Sequence, residues 1–416
     1  MKTALFRARK PLSANPTLNL AGAGIAIIAV CYGLARFGYG FFIPIFRTEF
    51  NLSPAVIGLF ASASYISYCI AIIAATVLTA AVGARTLVIT SGILAAASMA
   101  GIAIAPNAGA LGLAVCATGF CTGLVSPPMA TVIAENVASK YQNRVQTMVN
   151  SGAGVGVVIS VPVALMAASQ WRLAWLFFAV LALATTVWIA RSAPRRATDF
   201  QAPRQHPRGG LMERMFPKPL FPTGSARLLA ASALLGASST SMLTFGRDFM
   251  ITAGQHTSGV TTMAWVLLGA SGLVGSAAGM LTSRYGLVRC WAIGCLSIGG
   301  ATLLLVVFPG NAMSAIASMA LFGAAYTTTS GFLLIWGTEV YRHAPSMGVG
   351  MSFLVIALGQ AAATPLLGVL MTSMGAVAPF VVAALCGIAA CWIKPRVPTI
   401  PITMLMEIIP KAMIKE

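Results

Sequence analysis

The sequence predicts an all-α membrane protein with twelve transmembrane helices, and its composition supports that fold class. Charged residues make up 8% of the 416 residues, compared with roughly 25% in soluble domains. Hydrophobic residues make up 58%, and the mean hydropathy is +0.88. Because so little polar surface cannot cover an exterior that faces water, whereas lipid accepts it, a large soluble domain is excluded. At about 20 residues per span, the chain has room for about a dozen spans.

The apolar segments fall into two sets of six. We place them near 18–46, 54–79, 86–105, 109–136, 146–168 and 171–192, and then near 226–252, 258–282, 287–308, 312–340, 346–373 and 376–394. A polar segment rich in Pro, Arg and Gly separates the sets and reads as a linker. The predicted organisation is an N-terminal bundle over 1–192, a linker over 193–225, a C-terminal bundle over 226–395 and a tail over 396–416.

The basic residues predict the orientation of the spans. Of the 26 Lys and Arg residues, 22 lie in segments on the side of the N-terminus, and three, Arg47, Arg172 and Arg247, lie on the other side. The positive-inside rule therefore places both termini and the linker in the cytoplasm, and the short loops suit a bacterial inner membrane. The net charge of +18 does not indicate a nucleic-acid partner, because it lies in short loops between apolar spans.

The two halves resemble each other, which indicates an internal repeat. Residues recur at a nearly constant offset: Phe37-Gly38 with Phe245-Gly246, Pro106-Asn107 with Pro309-Gly310-Asn311, Glu135 with Glu339, and Pro162 with Pro365. The last two pairs are 204 and 203 residues apart. Two sets of six spans in the same orientation predict two six-helix bundles related by a pseudo-two-fold axis along the membrane normal, with a central cleft between them.

Short motifs occur at the spacing of a known family. The loop after the eighth span contains Gly279, Ser283, Arg284, Gly286 and Arg289. Further matches follow in order along the first half: Gly83, Arg85, Gly119, Gly123, Pro127, Glu135, Arg144, the run from Asn150 to Gly156, and Trp171-Arg172. Together they resemble the major facilitator superfamily over essentially the whole chain, although Ser283 stands where the family has Asp. The segment 33–44 resembles a bacterial branch of that superfamily, the YbfB/YjiJ-like group.

The resemblance implies a secondary active transporter that works by alternating access, with a small-molecule substrate held between the bundles and protons as the coupling ion. It also implies that Arg284 and Gly286 belong to a gate on the cytoplasmic side. We expect a monomer without a cofactor or metal. The run from Gly152 to Gly156 lacks the Lys-Ser/Thr of a nucleotide-binding loop. The three His residues are too dispersed to form the cluster that a membrane-integral enzyme or receptor site would need.

Arg36 is the candidate for substrate binding that most needs an explanation. A charge inside a span costs at least about 2.5 to 3.5 kcal/mol on insertion scales. Arg36 precedes Arg47 by eleven residues, or roughly 16 Å along a helix, which places it near the midplane. Its guanidinium suits bidentate capture of a carboxylate or another oxyanion. Substrate contact, a gating ion pair and a structural role remain open.

Other polar residues are candidates for the cleft or for gates. Asn150 and Gln360 are costly in lipid unless they meet a partner or water. Tyr and Trp residues in apolar runs either contact substrate or pack between helices: Tyr32, Tyr39, Tyr65, Tyr68, Trp265, Tyr326 and Trp336. Predicted substrate contacts among them are Tyr32, Tyr39, Trp265 and Tyr326.

Acidic residues near the span ends are candidates for gates. Asp248 lies about one turn outward from Arg36 in the alignment of the halves, so it either pairs with Arg36 or neutralises Arg247. Glu135 with Arg144, and Glu339 with Arg342, form either gating pairs on the cytoplasmic side or solvated helix ends. The absence of a central acid favours a small organic anion as substrate, and export of amphiphilic or drug-like compounds is the alternative.

Overall fold

The computed structural model describes residues 14–166, 170–194, 221–342 and 345–395, and all regular elements in these ranges are helices. Most of the predicted linker and the tail from residue 396 lie outside the described residues. Thirteen helices follow in order: α1 (Asn15–Glu49), α2 (Pro54–Val82), α3 (Ala84–Ala103), α4 (Ala108–Asn136), α5 (Ser139–Asn150), α6 (Gly152–Met166), α7 (Trp171–Ser192), α8 (Ser225–Thr252), α9 (Ser258–Tyr285), α10 (Leu287–Val307), α11 (Ala312–Val340), α12 (Pro345–Met374) and α13 (Ala378–Ala390).

Ten of the described helices are long and apolar enough to cross a membrane, namely α1 to α4 and α7 to α12. The spans predicted near 146–168 and 376–394 fall on shorter helices. A break at Ser151 divides the first of them into α5 and α6, and α13 covers only Ala378–Ala390. The count of twelve spans and the division into two bundles therefore stay predictions, whereas the all-α membrane fold class is confirmed.

The repeated Pro-Asn motifs begin matching helices. Asn107 accepts a hydrogen bond from the backbone N–H of Ala110 at 2.9 Å, and Asn311 accepts one from the N–H of Ser314 at 3.0 Å. Each side chain satisfies an N–H group that the first turn of α4 or α11 leaves without a backbone partner. The sequence repeat thus corresponds to a repeated N-cap.

The motif glycines Gly83 and Gly286 occupy matching loops in the two halves and share a backbone conformation. Gly83 joins α2 to α3 with φ +87° and ψ 145°, and Gly286 joins α9 to α10 with φ +80° and ψ 146°. Residues with a Cβ rarely adopt this region, so glycine is required at both turns. The predicted gate residue Gly286 therefore has a structural role that the backbone alone explains.

We expect Gly286→Ala to lower the apparent Tm of the purified protein, because alanine at this φ costs about 1 to 3 kcal/mol. A Cβ at Gly286 would meet no atom within 4 Å, so any loss reports backbone strain alone. The matched control is Gly279→Ala, which also has open space around its Cβ but lies within α9. Equal effects of the two changes on thermal unfolding would contradict this explanation.

Close contacts join the helices before the linker to those after it. Gly58 of α2 lies against the carbonyl of Thr364 in α12, where a Cβ would come within 2.6 Å of the oxygen. Nearby, Ser62 donates a hydrogen bond to the carbonyl of Ala361 at 2.7 Å. A second close contact brings Gly154 of α6 against the carbonyl of Gly269 in α9. Small residues allow these helix backbones to approach, as is common within membranes.

Candidate functional site

Arg36 lies in a π-helical segment of α1. This segment covers Ala29–Phe37, and a second one, Ser241–Phe245, interrupts α8. Both segments end at the phenylalanine of the repeated Phe-Gly pair, so they occupy matching positions in the two halves. Because π turns are rare and concentrate at functional sites, they mark this level of the two helices as a candidate site.

The guanidinium of Arg36 points into the interior of the helix assembly. Its Nη2 donates to Oε1 of Gln360 at 3.0 Å, and its central carbon lies 4.2 Å from the ring centroid of Tyr68 and 4.9 Å from that of Tyr65. Arg36 is half-buried, and its buried Nε has no hydrogen-bond partner among the described residues. Since α2 and α12 flank the guanidinium, its exposed part faces the space between helices and not lipid.

Hydrogen bonds extend the site on both sides of Arg36. The hydroxyl of Tyr32 lies 2.6 Å from that of Ser126 and 3.3 Å from that of Tyr68. The Nε2 of Gln360 donates to the hydroxyl of Ser239 at 3.1 Å and to that of Tyr326 at 3.3 Å. We call this set the arginine cluster; it draws on six helices and contains Tyr32, Arg36, Tyr65, Tyr68, Ser126, Ser239, Tyr326 and Gln360.

The arginine cluster contains one cation and no carboxylate. The described acids, Glu49, Glu135, Asp248 and Glu339, lie at or near helix ends, and the other four acids of the chain belong to the linker and tail. An ion pair between Arg36 and an acid was one alternative that the sequence left open. None of the described acids lies opposite Arg36. Polar neighbours and aromatic faces hold the guanidinium, but none of the described carboxylates neutralises it.

Asp248 pairs with Arg47 and with neither of the partners expected from the sequence. Its carboxylate lies 2.7 Å from Nη1 of Arg47, with side-chain exposures of 3% for Asp248 and 35% for Arg47. Arg247 instead donates to the carbonyl of Phe41, and its guanidinium lies over the Phe41 ring. The proposed Arg36 pair is not formed because Asp248 lies at the level of Arg47, about three turns along α1 from Arg36.

The end of the molecule that carries Arg47 is closed between α1 and α8. A cavity of about 330 Å³ at this end is lined by Arg47, Pro54, Thr252, Ala253, Met371, Thr372 and Ala376, and no member of the arginine cluster lines it. The Arg47–Asp248 pair and the contact of Arg247 with Phe41 both bridge α1 and α8. The cavity therefore does not connect this end to Arg36.

We expect Asp248→Asn to lower the apparent Tm by a few degrees, because it leaves Arg47 without its anion across the α1–α8 contact. The cost should lie between that of an exposed pair and that of a buried one, about 1 to 2 kcal/mol. Glu49→Gln is the matched control, since the Glu49–Arg172 pair at 2.9 Å is 43% and 41% exposed. Thermal unfolding in detergent measures both, and an equal or larger loss in Glu49→Gln would refute the bridging role.

Comparison with known proteins identifies the family. The family model of the Major Facilitator Superfamily matches residues 25–348. The chain belongs to the major facilitator superfamily. Two crystal structures of the nucleoside transporter NupG are similar to this chain, with TM-scores of 0.70 and 0.69 and identities of 14% and 15%, covering 91% of this chain and 98% of each of those chains. At that identity the likeness establishes the fold alone. No curated protein sequence matches the chain significantly.

Membership of the superfamily makes this protein a multi-pass membrane transporter and not an enzyme. The superfamily prediction from the sequence motifs is thus confirmed, while the YbfB/YjiJ-like branch stays a prediction. The family also gives the arginine cluster its context, because a transporter requires a small-molecule site between helices.

Three predicted substrate contacts of the transporter lie outside the arginine cluster. Tyr39 is buried, stacks on Phe46 and bonds the carbonyl of Ile57 at 3.4 Å. Trp265 is buried against Phe41, with ring centroids 6.0 Å apart. Asn150 is exposed at the break between α5 and α6, where it accepts a bond from Gln146 at 3.1 Å. Tyr39 and Trp265 are packed between helices and Asn150 lies at a helix end, and substrate contact by these three residues stays a prediction.

The residues predicted to form cytoplasmic gates show no ion pair between described side chains. Arg342 donates to the backbone carbonyl of Glu339 at 3.2 Å, and Glu135 is exposed. The side chain of Arg144 lies outside the described residues. Arg284 is exposed, with its guanidinium 5.4 Å from the ring centroid of Tyr285. Gating by these residues stays a prediction.

Sequence reasoning missed two hydroxyl groups of the transporter's arginine cluster. Ser239 belongs to the polar run 238–241 inside a predicted span, and that run was a usable signal. Ser126 stands alone before Pro127-Pro128 and offered none. Tyr32, Tyr326 and Gln360 were predicted, and the structure places all three in the cluster.

Proposed function

We propose that this transporter moves a small organic anion across the membrane and binds its carboxylate at Arg36. The observation that supports this proposal is a guanidinium inside a membrane protein with no carboxylate partner among the described residues. A buried charge is costly unless it is paired. A substrate anion would supply the missing partner.

The arginine cluster has the groups that such a substrate requires. Arg36, Tyr32 and Tyr326 are half-buried and so remain accessible, whereas Tyr65, Tyr68 and Gln360 are buried and hold the guanidinium in place. Free N–H groups of Arg36 would donate to the carboxylate oxygens, and the tyrosine rings would contact the apolar part of the substrate. One cation suits a monoanion, because the resulting pair is neutral.

Alternating access would expose the arginine cluster to each side in turn through rocking of two six-helix bundles. The contacts between α1 and α8 support a state closed at the Arg47 end, which the positive-inside rule assigns to the outside. In the opposite state, Glu135 with Arg144 and Glu339 with Arg342 would close the cytoplasmic end, beside the loop of Arg284 and Gly286. Proton coupling follows from the family resemblance and stays a prediction, as do the bacterial inner membrane and the monomeric state.

A thermal-shift series on the detergent-purified protein tests the substrate class, because a ligand raises the apparent Tm by mass action. The probes are lactate and benzoate as monoanions, succinate as a dianion, uridine as a neutral nucleoside and tetraphenylphosphonium as an amphiphilic cation. We expect lactate or benzoate to raise the Tm most. A shift with tetraphenylphosphonium alone would favour export of amphiphilic compounds, and a shift with uridine alone would favour nucleosides; either result would refute the anion proposal.

A further inference from the structure

The charge inventory around Arg36 constrains how the transport cycle can run. The described groups near the guanidinium come from helices α1, α2, α11 and α12, and the titratable ones are Tyr32, Tyr65, Tyr68, Cys69 and Tyr326. Tyrosine hydroxyls, and a cysteine thiol in apolar surroundings, are neutral near pH 7, and a guanidinium keeps its proton. None of these described groups therefore becomes an anion near pH 7, and Arg36 keeps its charge during the cycle.

From this inventory we infer that the transporter is an obligate exchanger of small monoanions, moving one anion inward for each anion moved outward. This inference rests on the proposed anion substrate and its binding at Arg36, and it replaces the proton coupling that the family resemblance implies with exchange of anions as the driving force. With an anion bound, the arginine cluster is neutral and can pass through the state in which both ends are closed. Without one, that state would enclose an unpaired guanidinium, so the empty transporter does not change sides.

Proton coupling would require a different cluster. A protein carboxylate near Arg36 could take up a proton in one state and pair with the arginine in the other, which would let the empty transporter return. The described residues hold no such acid, and Asp248 is already paired with Arg47. A second anion of the same class is thus the partner that allows the return step. The exchange is electroneutral because each direction carries one negative charge.

Counterflow in proteoliposomes tests the exchange. Purified full-length protein is reconstituted, the vesicles are loaded with ¹⁴C-lactate, and efflux is followed into buffer with no organic anion or with unlabelled lactate. We expect at least about tenfold faster efflux with external lactate. An imposed pH gradient, or a potassium diffusion potential set with valinomycin, should change neither rate by more than about twofold. Vesicles with Arg36→Gln give the leak rate, and Glu49→Gln, which lies outside the cluster, should behave as the wild type.

The outcomes separate the two proposals. Lactate efflux that depends on Arg36, needs no external anion and is accelerated by the pH gradient would overturn the exchange and leave the proposed function intact. If neither ¹⁴C-lactate nor ¹⁴C-benzoate moves above the Arg36→Gln leak, the proposed function and the exchange both fail. Faster efflux with external lactate, insensitive to pH gradient and potential, supports the exchange.

Discussion

Arg36→Gln should weaken the binding of lactate or benzoate about 100-fold while leaving the protein folded. Hydrogen bonds to charged groups contribute about 1.5 to 3 kcal/mol each, and a factor of ten corresponds to about 1.4 kcal/mol. Losing the ion pair and one or two of its hydrogen bonds therefore accounts for about two orders of magnitude. Titration calorimetry in lipid nanodiscs measures the loss directly.

Arg36→Lys is the matched variant for this prediction, because it keeps the charge and removes the planar fork. We expect binding intermediate between wild type and Arg36→Gln. Stability without ligand provides a second measurement. If Arg36 had a structural role, Arg36→Gln would lower the apparent Tm. If Arg36 is an unpaired charge in a binding site, its removal should leave the apparent Tm unchanged or raise it. A large drop in Tm together with unaltered binding would refute the anchoring role.

Gly40→Ala should reduce the rate of transport at least about tenfold by preventing closure of the Arg47 end. A Cβ on Gly40 would overlap the carbonyl oxygen of Leu243 in α8 and would lie 3.0 Å from the ring of Trp265 in α9. Alanine is otherwise the better helix former by about 1 kcal/mol, so helix propensity alone predicts the opposite effect. Hydrogen exchange should show lost protection in the segments around Arg47 and Asp248.

Gly300→Ala in α10 is the control for the Gly40 variant, because its Cβ would meet no atom within 4 Å. It should transport at the wild-type rate with unchanged hydrogen exchange. If Gly40→Ala also leaves both measurements unchanged, then close approach of α1 to α8 and α9 is not required during the cycle, and the closed state would need a different explanation.

The sequence predicts the members of the site better than their partners. Arg36 and Gln360 could be predicted because a charge or an amide inside an apolar span needs a reason to be there. Their direct hydrogen bond links residues 324 positions apart. It depends on the rotation and depth of two helices from opposite halves, which hydropathy does not specify. The same limitation explains why the sequence did not predict the pairing of Asp248 with Arg47.

The sequence predicts that the spans are helical, but it predicts less well where individual helices end or break. Gly83 and Gly286, and Asn107 and Asn311, could be matched from the repeat because turns and caps impose local residue preferences. The break at Ser151 could not be predicted, because a helix that stops and restarts within one turn leaves the apolar pattern almost unchanged. Trp265 shows a related limit, since an aromatic residue in a span fits a binding wall and a packed interface equally well.

The π segment in α1 has a consequence for how this chain should be aligned with its relatives. A π turn holds one more residue than an α turn, so each such turn shifts the angular phase of everything that follows it by about 100°. If all residues between Ala29 and Phe37 were kept but wound as regular α-helix, Gly40 and Arg47 would turn away from α8. A relative that lacks the extra residue can therefore keep the same contact with α8 through a regular helix, and its alignment with this chain should have a one-residue gap within this segment.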